Sequence, residues 1–171
     1  MPPTRTAEHT SPPGRLASHF TSPADVWLAV RVIAWAAVLP LLKRIMPLQA
    51  LASRMHGSPQ ATDRNPARER RILAFARGAA RLVRWRSGGN CLERGLIAYR
   101  YLGHAGAKPV LVVGLDVEAG NLLGHAWVLI DGRPAGESAA SLARYVPAFA
   151  FDPDGRLTAL PERGVEERGS R

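Results

Sequence analysis

Three consecutive pieces of sequence decide the fold: NCLERGLIAYRYLGHAG (90–106), PVLVVGLDV (109–117) and GHAWVLIDGRPAGES (124–138). The first has apolar residues at helical spacing. The second is a short apolar β-branched run, and the third alternates until Asp-Gly, a strong hairpin turn signal, so both predict strands. A helix followed by strands of one small sheet predicts an α+β fold.

Length and composition limit the function classes. With 171 residues, the chain can form one ordinary domain with a modest extension. One cysteine excludes an intramolecular disulfide, and no Cys/His cluster has zinc-ligand spacing, so we expect neither metal nor cofactor. A reducing cytoplasm suits a free cysteine. The net charge of +9 comes mostly from arginine and favours an acidic partner, but no nucleic-acid-binding motif accompanies it, and nucleic acid is not expected.

Composition divides the chain into four parts. Residues 1–23, rich in Pro, Ser and Thr without an apolar signal-peptide core, predict a disordered tail. Residues 24–66 form an apolar helical segment and linker, 67–155 the core, and 156–171 a C-terminal tail. The stretch from Pro147 onward is expected to lie over the domain edge.

Residues 24–55 are the most apolar stretch. Ser22 and Asp25 predict the start of a helix, and Pro40 and Pro47 are expected to kink or end helices. The uninterrupted apolar run is short for a transmembrane span, which needs about 20 residues. The expected role is a helix packed on the domain; the alternatives are a membrane-surface helix or a partner-binding helix.

A second, amphipathic helix is predicted over residues 67–86, ending before a Ser-Gly-Gly-Asn turn at 87–90. Its apolar positions recur every three or four residues, and Arg68, Arg70, Arg71, Arg77, Arg81 and Arg84 lie elsewhere on it. Such a face is usually solvated, but it could bind an acidic peptide.

Cys91 follows that turn and begins the next predicted helix, with Asn90 as N-cap. A thiol in the first turn lies near the positive end of the helix dipole and near unpaired backbone N–H groups. These groups lower the thiol pKa and can bind a developing oxyanion. From position alone, a reactive cysteine and a buried core cysteine are equally good interpretations.

The histidine strand favours the reactive interpretation. His125, Trp127 and Leu129 share one face of the strand by period-two alternation, and the preceding Gly120-Asn121 predicts a turn. A lone histidine on a strand is more often structural, but within reach of a helix-start cysteine it is a candidate base. Trp127 is either a wall of the site or a core residue.

Two acids are candidates for orienting the imidazole. Asp131 shares the face of His125 but lies about 20 Å along the strand, and its natural position is the turn. Glu137 lies on the predicted return strand, 133–138, near the level of His125. A three-residue loop would place Glu137 on the His125 face and a two-residue loop on the opposite face. Glu137 is preferred because a bulge can correct the parity.

The combination CLERGLIAYRYLGHAGAKPVLVVGL followed by GHAWVLIDG resembles the transglutaminase-like leader peptidases of lasso peptide biosynthesis, of the stand-alone type without a fused leader-recognition domain. The resemblance covers roughly residues 85–138. It implies a papain-like core in which a catalytic helix packs on a small antiparallel sheet, preceded by N-terminal helices. It also implies a cysteine protease that removes the leader from a ribosomally made precursor.

The resemblance assigns Cys91 as nucleophile and His125 as base. Where the family usually has an aspartate, this chain has Glu137, and Asp131 stays the alternative third member. Backbone N–H groups around Asn90 would hold the oxyanion. The implied partners are the precursor peptide, a small leader-recognition protein and the lasso cyclase, with peripheral membrane contact through the apolar helix as a further expectation.

Two other functions remain open. The same fold could transfer an acyl group to an amine, as transglutaminases do, instead of hydrolysing a peptide. Alternatively, the protein is a non-enzymatic helical adaptor in which Cys91 is buried.

Overall fold

The computed structural model describes residues 22–83, 90–116 and 123–158. Most of both predicted tails, and the turns predicted at Ser87–Gly89 and at Gly120–Asn121, lie outside these described residues.

Helices and an antiparallel sheet make up the described residues, which confirms the α+β prediction. The helices are α1 (Pro23–Ile45), α2 (Leu48–Met55), α3 (Pro66–Val83), α4 (Cys91–His104) and α5 (Ala139–Leu142). The strands are β1 (Pro109–Asp116), β2 (Leu123–Ile130), β3 (Arg133–Pro134), β4 (Tyr145–Phe151) and β5 (Leu157–Thr158). The strand order is β3-β2-β1-β4-β5, and all neighbouring strands are antiparallel.

Helix α1 begins as predicted and ends later than its prolines suggest. The Ser22 side chain accepts a hydrogen bond from the Asp25 backbone N–H at 3.3 Å and so caps the helix. Pro40 does not end α1, which continues to Ile45, whereas Pro47 separates α1 from α2. Burial of Leu39 on the core side accounts for this continuation, since packing outweighs the hydrogen bond that proline cannot make.

One hydrophobic core joins all four long helices and one face of the sheet. Its most buried members from α1 and α2 include Val32, Leu39, Leu51 and Met55. The expectation that the apolar segment packs on the domain therefore holds for this side of α1.

The opposite side of α1 carries an exposed apolar stripe, consisting of Val26, Val30, Ile33, Val38, Leu41 and Ile45. Among the described residues, α1 is the helix that passes a length and composition test for crossing a membrane, and 28% of its most apolar window is buried. It is longer than the uninterrupted apolar run suggested because it continues through Pro40.

Helix α4 packs directly on the centre of the sheet. Gly95 allows this close approach, because a Cβ there would lie 3.2 Å from the Leu111 side chain and 3.6 Å from the Ala126 Cβ. Leu96 and Leu102 are almost fully buried between α4, the other helices and the sheet. Each such leucine contributes about 1.5–3 kcal/mol through burial, so α4 is held firmly along its length.

The other face of the sheet has a smaller core of Val112, Trp127, Leu129, Leu142 and Ala150. Trp127 and Leu129 share this face, as their alternation on β2 predicts. This face carries His125, and it is covered in part by the short helix α5.

The expectation that the stretch from Pro147 onward lies over the domain edge is wrong, because this stretch begins within β4, which lies inside the sheet beside β1. Pro147 lies opposite Gly114, where the β1–β4 register shifts, and a bulge is one of the few places where a sheet tolerates proline. Leu157 and Thr158, at the start of the stretch assigned to the C-terminal tail, pair with β4 as β5.

Gly114 is a position where the fold needs glycine. A Cβ there would lie 2.8 Å from the Trp127 ring and 2.8 Å from the Val146 carbonyl oxygen. We predict that Gly114→Ala lowers the free energy of unfolding by about 1–3 kcal/mol, the usual cost of overpacking, measured by urea unfolding followed by circular dichroism.

Gly124 on the neighbouring strand is the matched control. A Cβ there would meet no atom of the described residues within 4 Å, so Gly124→Ala should change the free energy of unfolding by less than about 0.5 kcal/mol. Equal destabilisation by the two substitutions would contradict the packing of Trp127 over Gly114.

Candidate active site

Cys91 begins α4, as predicted, but Asn90 does not cap the helix with its side chain. The Asn90 amide instead donates a hydrogen bond to the Ala80 carbonyl of α3, and its own backbone carbonyl accepts from Arg94 N at 3.0 Å. Asn90 thus ties the start of α4 to α3. The amide group of Asn90 does not occupy the backbone N–H groups of the first turn, where an oxyanion could bind.

The thiol lies against the free edge of β2. The Cys91 thiol is 3.6 Å from the Gly124 carbonyl oxygen, and the Ala126 backbone also hydrogen-bonds to Cys91. In an antiparallel strand, the backbone groups of alternate residues point to the same edge, so Gly124, Ala126 and Val128 share one edge of β2. On this edge, the Val128 carbonyl accepts a hydrogen bond from the Ala135 backbone N–H. Because β3 ends at Pro134, the edge at Gly124 and Ala126 is left to the cysteine.

His125 connects the cysteine to a carboxylate. Its Nε2 lies 2.8 Å from Oε2 of Glu137, and its imidazole also hydrogen-bonds to the Cys91 thiol. Because Glu137 takes Nε2, Nδ1 is the nitrogen left for the thiol. The imidazole stacks on the Tyr145 ring, with 4.6 Å between ring centroids and 20° between planes, which fixes its orientation.

Glu137 reaches His125 by a different route from the one predicted. The hairpin has a two-residue loop, Asp131-Gly132, with Ile130 paired to Arg133. An uninterrupted return strand would then place Glu137 on the face opposite to His125. The return strand instead ends at Pro134, and Gly136, with φ of 81°, redirects the chain. The prediction of a strand over 133–138 is therefore wrong beyond Pro134.

Asp131, the alternative third member, lies away from the imidazole. It occupies the hairpin turn with φ of 51°, a conformation that aspartate tolerates better than most residues. Its carboxylate lies 2.6 Å from Arg64 Nη1, in an exposed ion pair. The structure thus brings Glu137, and not Asp131, to His125.

Two arginines of the site were not predicted. Arg94 Nη2 donates to Oε1 of Glu137 at 2.7 Å, so the two carboxylate oxygens bind one cation and one imidazole. Arg77 of α3 donates to the Gly136 carbonyl and holds the loop that carries Glu137. A signal for Arg94 was present, since a residue three positions after Cys91 lies on the same helical face.

Tyr145 was also missed, and the sequence carried no signal for it. It is brought to His125 by the pairing of β4 with β1, where Tyr145 lies opposite Asp116. Trp127 lies beside the same imidazole, 6.1 Å away between ring centroids, and is also a buried member of the smaller core. Both interpretations of Trp127, site wall and core residue, therefore apply.

Electrostatics favour charged partners at the site. Burial is the largest influence on the Cys91 thiol and raises its pKa, but the hydrogen bond and charge of His125, together with backbone hydrogen bonds, outweigh it and leave the pKa below the ordinary value. Hydrogen bonds with Cys91 and Glu137 raise the pKa of His125 to about 9. Burial also raises the pKa of Glu137, but His125 and Arg94 outweigh it, so the carboxylate pKa is lowered. These directions favour a thiolate at Cys91, an imidazolium at His125 and an ionised carboxylate at Glu137.

Comparison with known families agrees with this geometry. The sequence model of the Transglutaminase-like superfamily matches residues 29–150. The chain belongs to this superfamily. The match begins within α1, so it includes most of the apolar segment at 24–66 that composition separates from the core, and it ends within β4. No curated protein and no solved structure matches the chain.

Members of the transglutaminase-like superfamily are typically cysteine-dependent enzymes, and they include both cysteine peptidases and acyltransferases. Both activities need a thiolate that attacks a carbonyl and a histidine that moves the proton. In the described geometry, Cys91 and His125 are the candidates for these two groups. In residues 22–83, 90–116 and 123–158, no cluster of His, Cys, Asp or Glu could hold a metal ion.

Arg94 is expected to act as a positioning residue for Glu137. We predict that Arg94→Ala lowers kcat/KM for substrate turnover about tenfold, because a charge-assisted hydrogen bond of about 1.5–3 kcal/mol is lost and part of it acts on the imidazole. The activity should fall further at acidic pH, since without the Arg94 charge the pKa of Glu137 rises and the carboxylate protonates earlier.

Arg94→Lys is the matched variant, and it should recover part of the activity because it keeps the charge without the planar fork. Melting temperatures of both variants separate positioning from folding. If Arg94→Ala keeps the pH profile of the wild type, Arg94 does not act through Glu137.

Proposed function

We propose that this protein is a cytoplasmic cysteine peptidase that removes the leader from a lasso peptide precursor. The observation that carries the proposal is the linked arrangement of Cys91, His125 and Glu137 in a chain of the Transglutaminase-like superfamily. The sequence around Cys91 and His125 resembles that of the stand-alone leader peptidases, and this resemblance is the reason for proposing a lasso peptide precursor as the substrate.

The proposed reaction follows from the site. The Cys91 thiolate attacks the scissile carbonyl near the end of the leader, and backbone N–H groups of the first turn of α4 hold the oxyanion. His125 protonates the leaving amine as the C–N bond breaks. Water, deprotonated by His125, then hydrolyses the thioester and releases the leader. Glu137 keeps the imidazole oriented through both steps.

The proposed partners are a small leader-recognition protein and a cyclase. Two surfaces are candidates for docking them: the exposed apolar stripe of α1 and the arginine face of α3. The same stripe of α1 supports peripheral membrane contact as an alternative. If cleavage rates are equal with and without the recognition protein, docking of that protein is not needed for the reaction.

Mass spectrometry of the products tests the proposal. The precursor, the recognition protein and this protein are incubated together, and the same mixture with Cys91→Ala serves as control. Free leader and free core peptide, with one water added to the precursor mass, are the expected products. A crosslinked product with loss of ammonia would instead establish acyl transfer, and cleavage that persists with Cys91→Ala would end the cysteine-peptidase proposal.

A further inference from the structure

A cavity lies far from Cys91, at the other end of α4. Its volume is about 460 Å³, and it opens between α1, α3 and the C-terminal half of α4. Its lining includes Leu28, Arg31, Arg68, Arg71, Tyr101 and His104. At a rise of 1.5 Å per residue, Tyr101 is about 15 Å along α4 from Cys91, so the cavity is separate from the candidate active site.

Positive charge dominates the lining of the cavity. Among the described residues that line it, three are arginines and one, Asp25, has a carboxylate, which lies 3.5 Å from Arg71. The buried His104 responds to this field, since burial and then the charges of Arg100, Arg31 and Arg68 lower its pKa to about 4. The same field stabilises an anion in the cavity.

The Tyr101 hydroxyl needs an acceptor. Tyr101 is 3% exposed, and its hydroxyl oxygen is buried without a hydrogen bond among the described residues. Arg31 and Trp35 approach this oxygen, but both are donors only, so neither can accept the hydroxyl proton. Leaving such a buried donor unpaired costs about 1–3 kcal/mol, which a ligand oxygen would recover.

The lining also has apolar parts. Leu28 and Trp27 line the cavity beside the arginines, and Trp27 is 64% exposed, whereas Ile72 is already buried in the core. The volume lies in the range of about 300–1,000 Å³ that is typical of pockets for extended organic ligands, which exceeds what an inorganic anion fills.

We propose that this cavity binds an acidic peptide segment, whose carboxylate contacts Arg68 and the Tyr101 hydroxyl while a neighbouring apolar side chain packs on Leu28 and the exposed Trp27. Arg68 carries the proposal because it lines the cavity and its guanidinium makes no hydrogen bond or ion pair within the described part of the chain. The inference goes beyond the proposed peptidase activity and does not depend on it, since binding is measured directly.

Fluorescence anisotropy with the full chain tests this site. The probe is a fluorescein-labelled Leu-Glu-Leu-Glu peptide amide, compared with the matched Leu-Gln-Leu-Gln amide. We expect the acidic peptide to bind at least tenfold more tightly than the neutral one. Arg68→Gln should weaken its binding about tenfold, the loss of one charge-assisted hydrogen bond. Tyr101→Phe, which removes only the hydroxyl, should weaken it about fivefold.

Arg70→Gln is the control. Arg70 lies on the same helix as Arg68 but does not line the cavity, and its substitution removes the same charge. Equal weakening by Arg68→Gln and Arg70→Gln would overturn the site, as would equal affinity for the two peptides. Displacement of the acidic peptide by inorganic phosphate at similar concentration would mean that the cavity responds to charge alone, and would overturn the assignment to a peptide. These binding results do not depend on cleavage, so the Cys91→Ala variant should bind the acidic peptide as tightly as the wild type does.

Discussion

Cys91→Ala is expected to lower kcat for the proposed leader cleavage at least about 10⁴-fold, because the proposed reaction loses its covalent route with its nucleophile. The thiol lies at the start of α4, 3.6 Å from the Gly124 carbonyl and hydrogen-bonded to His125. Its side chain is small and half-buried, so alanine leaves a minor change in packing. Cleavage is measured by single-turnover mass spectrometry of the precursor.

Cys91→Ser is the matched variant for this test. It keeps the shape and the hydrogen bond to His125, but a hydroxyl ionises far less readily than a thiol, so it should also lose at least about 10³-fold. Both variants should keep the melting temperature and the precursor binding of the wild type. Retention of more than a tenth of the wild-type rate by Cys91→Ala would show that another group performs the reaction.

His125→Gln is expected to lower kcat at least about 10³-fold, because general acid–base catalysis and the activation of the thiolate are lost together. The imidazole accounts for two features at once: its hydrogen bond lowers the pKa of Cys91, and its Nε2 binds Glu137. A loss of this size in kcat with little change in KM would place the effect in the chemical step.

His56→Gln serves as the control for histidine replacement. His56 lies at the end of α2, where its ring nitrogen contacts the Ser53 carbonyl, and it has no contact with the candidate active site. Its replacement should leave kcat within twofold of the wild type. If His125→Gln left kcat as little changed as His56→Gln does, His125 would have a structural role only.

Local patterns in the sequence predicted the central elements. The apolar spacing from Leu92 to Leu102 predicted α4, and the β-branched run and the Asp-Gly turn predicted β1 and the start of the hairpin. These signals are local, because helix periodicity and turn chemistry depend on neighbouring residues. They placed Cys91 at a helix start and His125 on a strand, and the structure brings these two side chains together.

Features that depend on pairing between distant segments were missed. Tyr145 contacts His125 because β4 pairs with β1. This strand was not predicted, since proline at position 147 is unfavourable within a strand. Loop length alone would have placed Glu137 on the wrong face, since the short return strand and Gly136 decide its position. Arg94 shows a third case, in which the signal was present as helical spacing but its partner lay on another element.

The most direct test of the central claim, that His125 holds Cys91 as a thiolate, is the pH dependence of alkylation by iodoacetamide. The chain has one cysteine, so incorporation measured by intact-protein mass spectrometry reports on Cys91 alone. In the wild type, alkylation should stay fast well below the ordinary thiol pKa of about 8.5, because the lowered pKa keeps the thiolate populated. It should rise again above the His125 pKa of about 9, where the imidazolium loses its proton and the thiolate is freed.

His125→Gln should remove the reactivity at acidic pH and give one titration step near or above 8.5, since burial then acts on the thiol without the opposing imidazolium. The two profiles should therefore differ most below the ordinary thiol pKa. If the wild type and His125→Gln gave the same single step at or above 8.5, Cys91 would be an ordinary buried thiol and the cysteine-enzyme account would be contradicted.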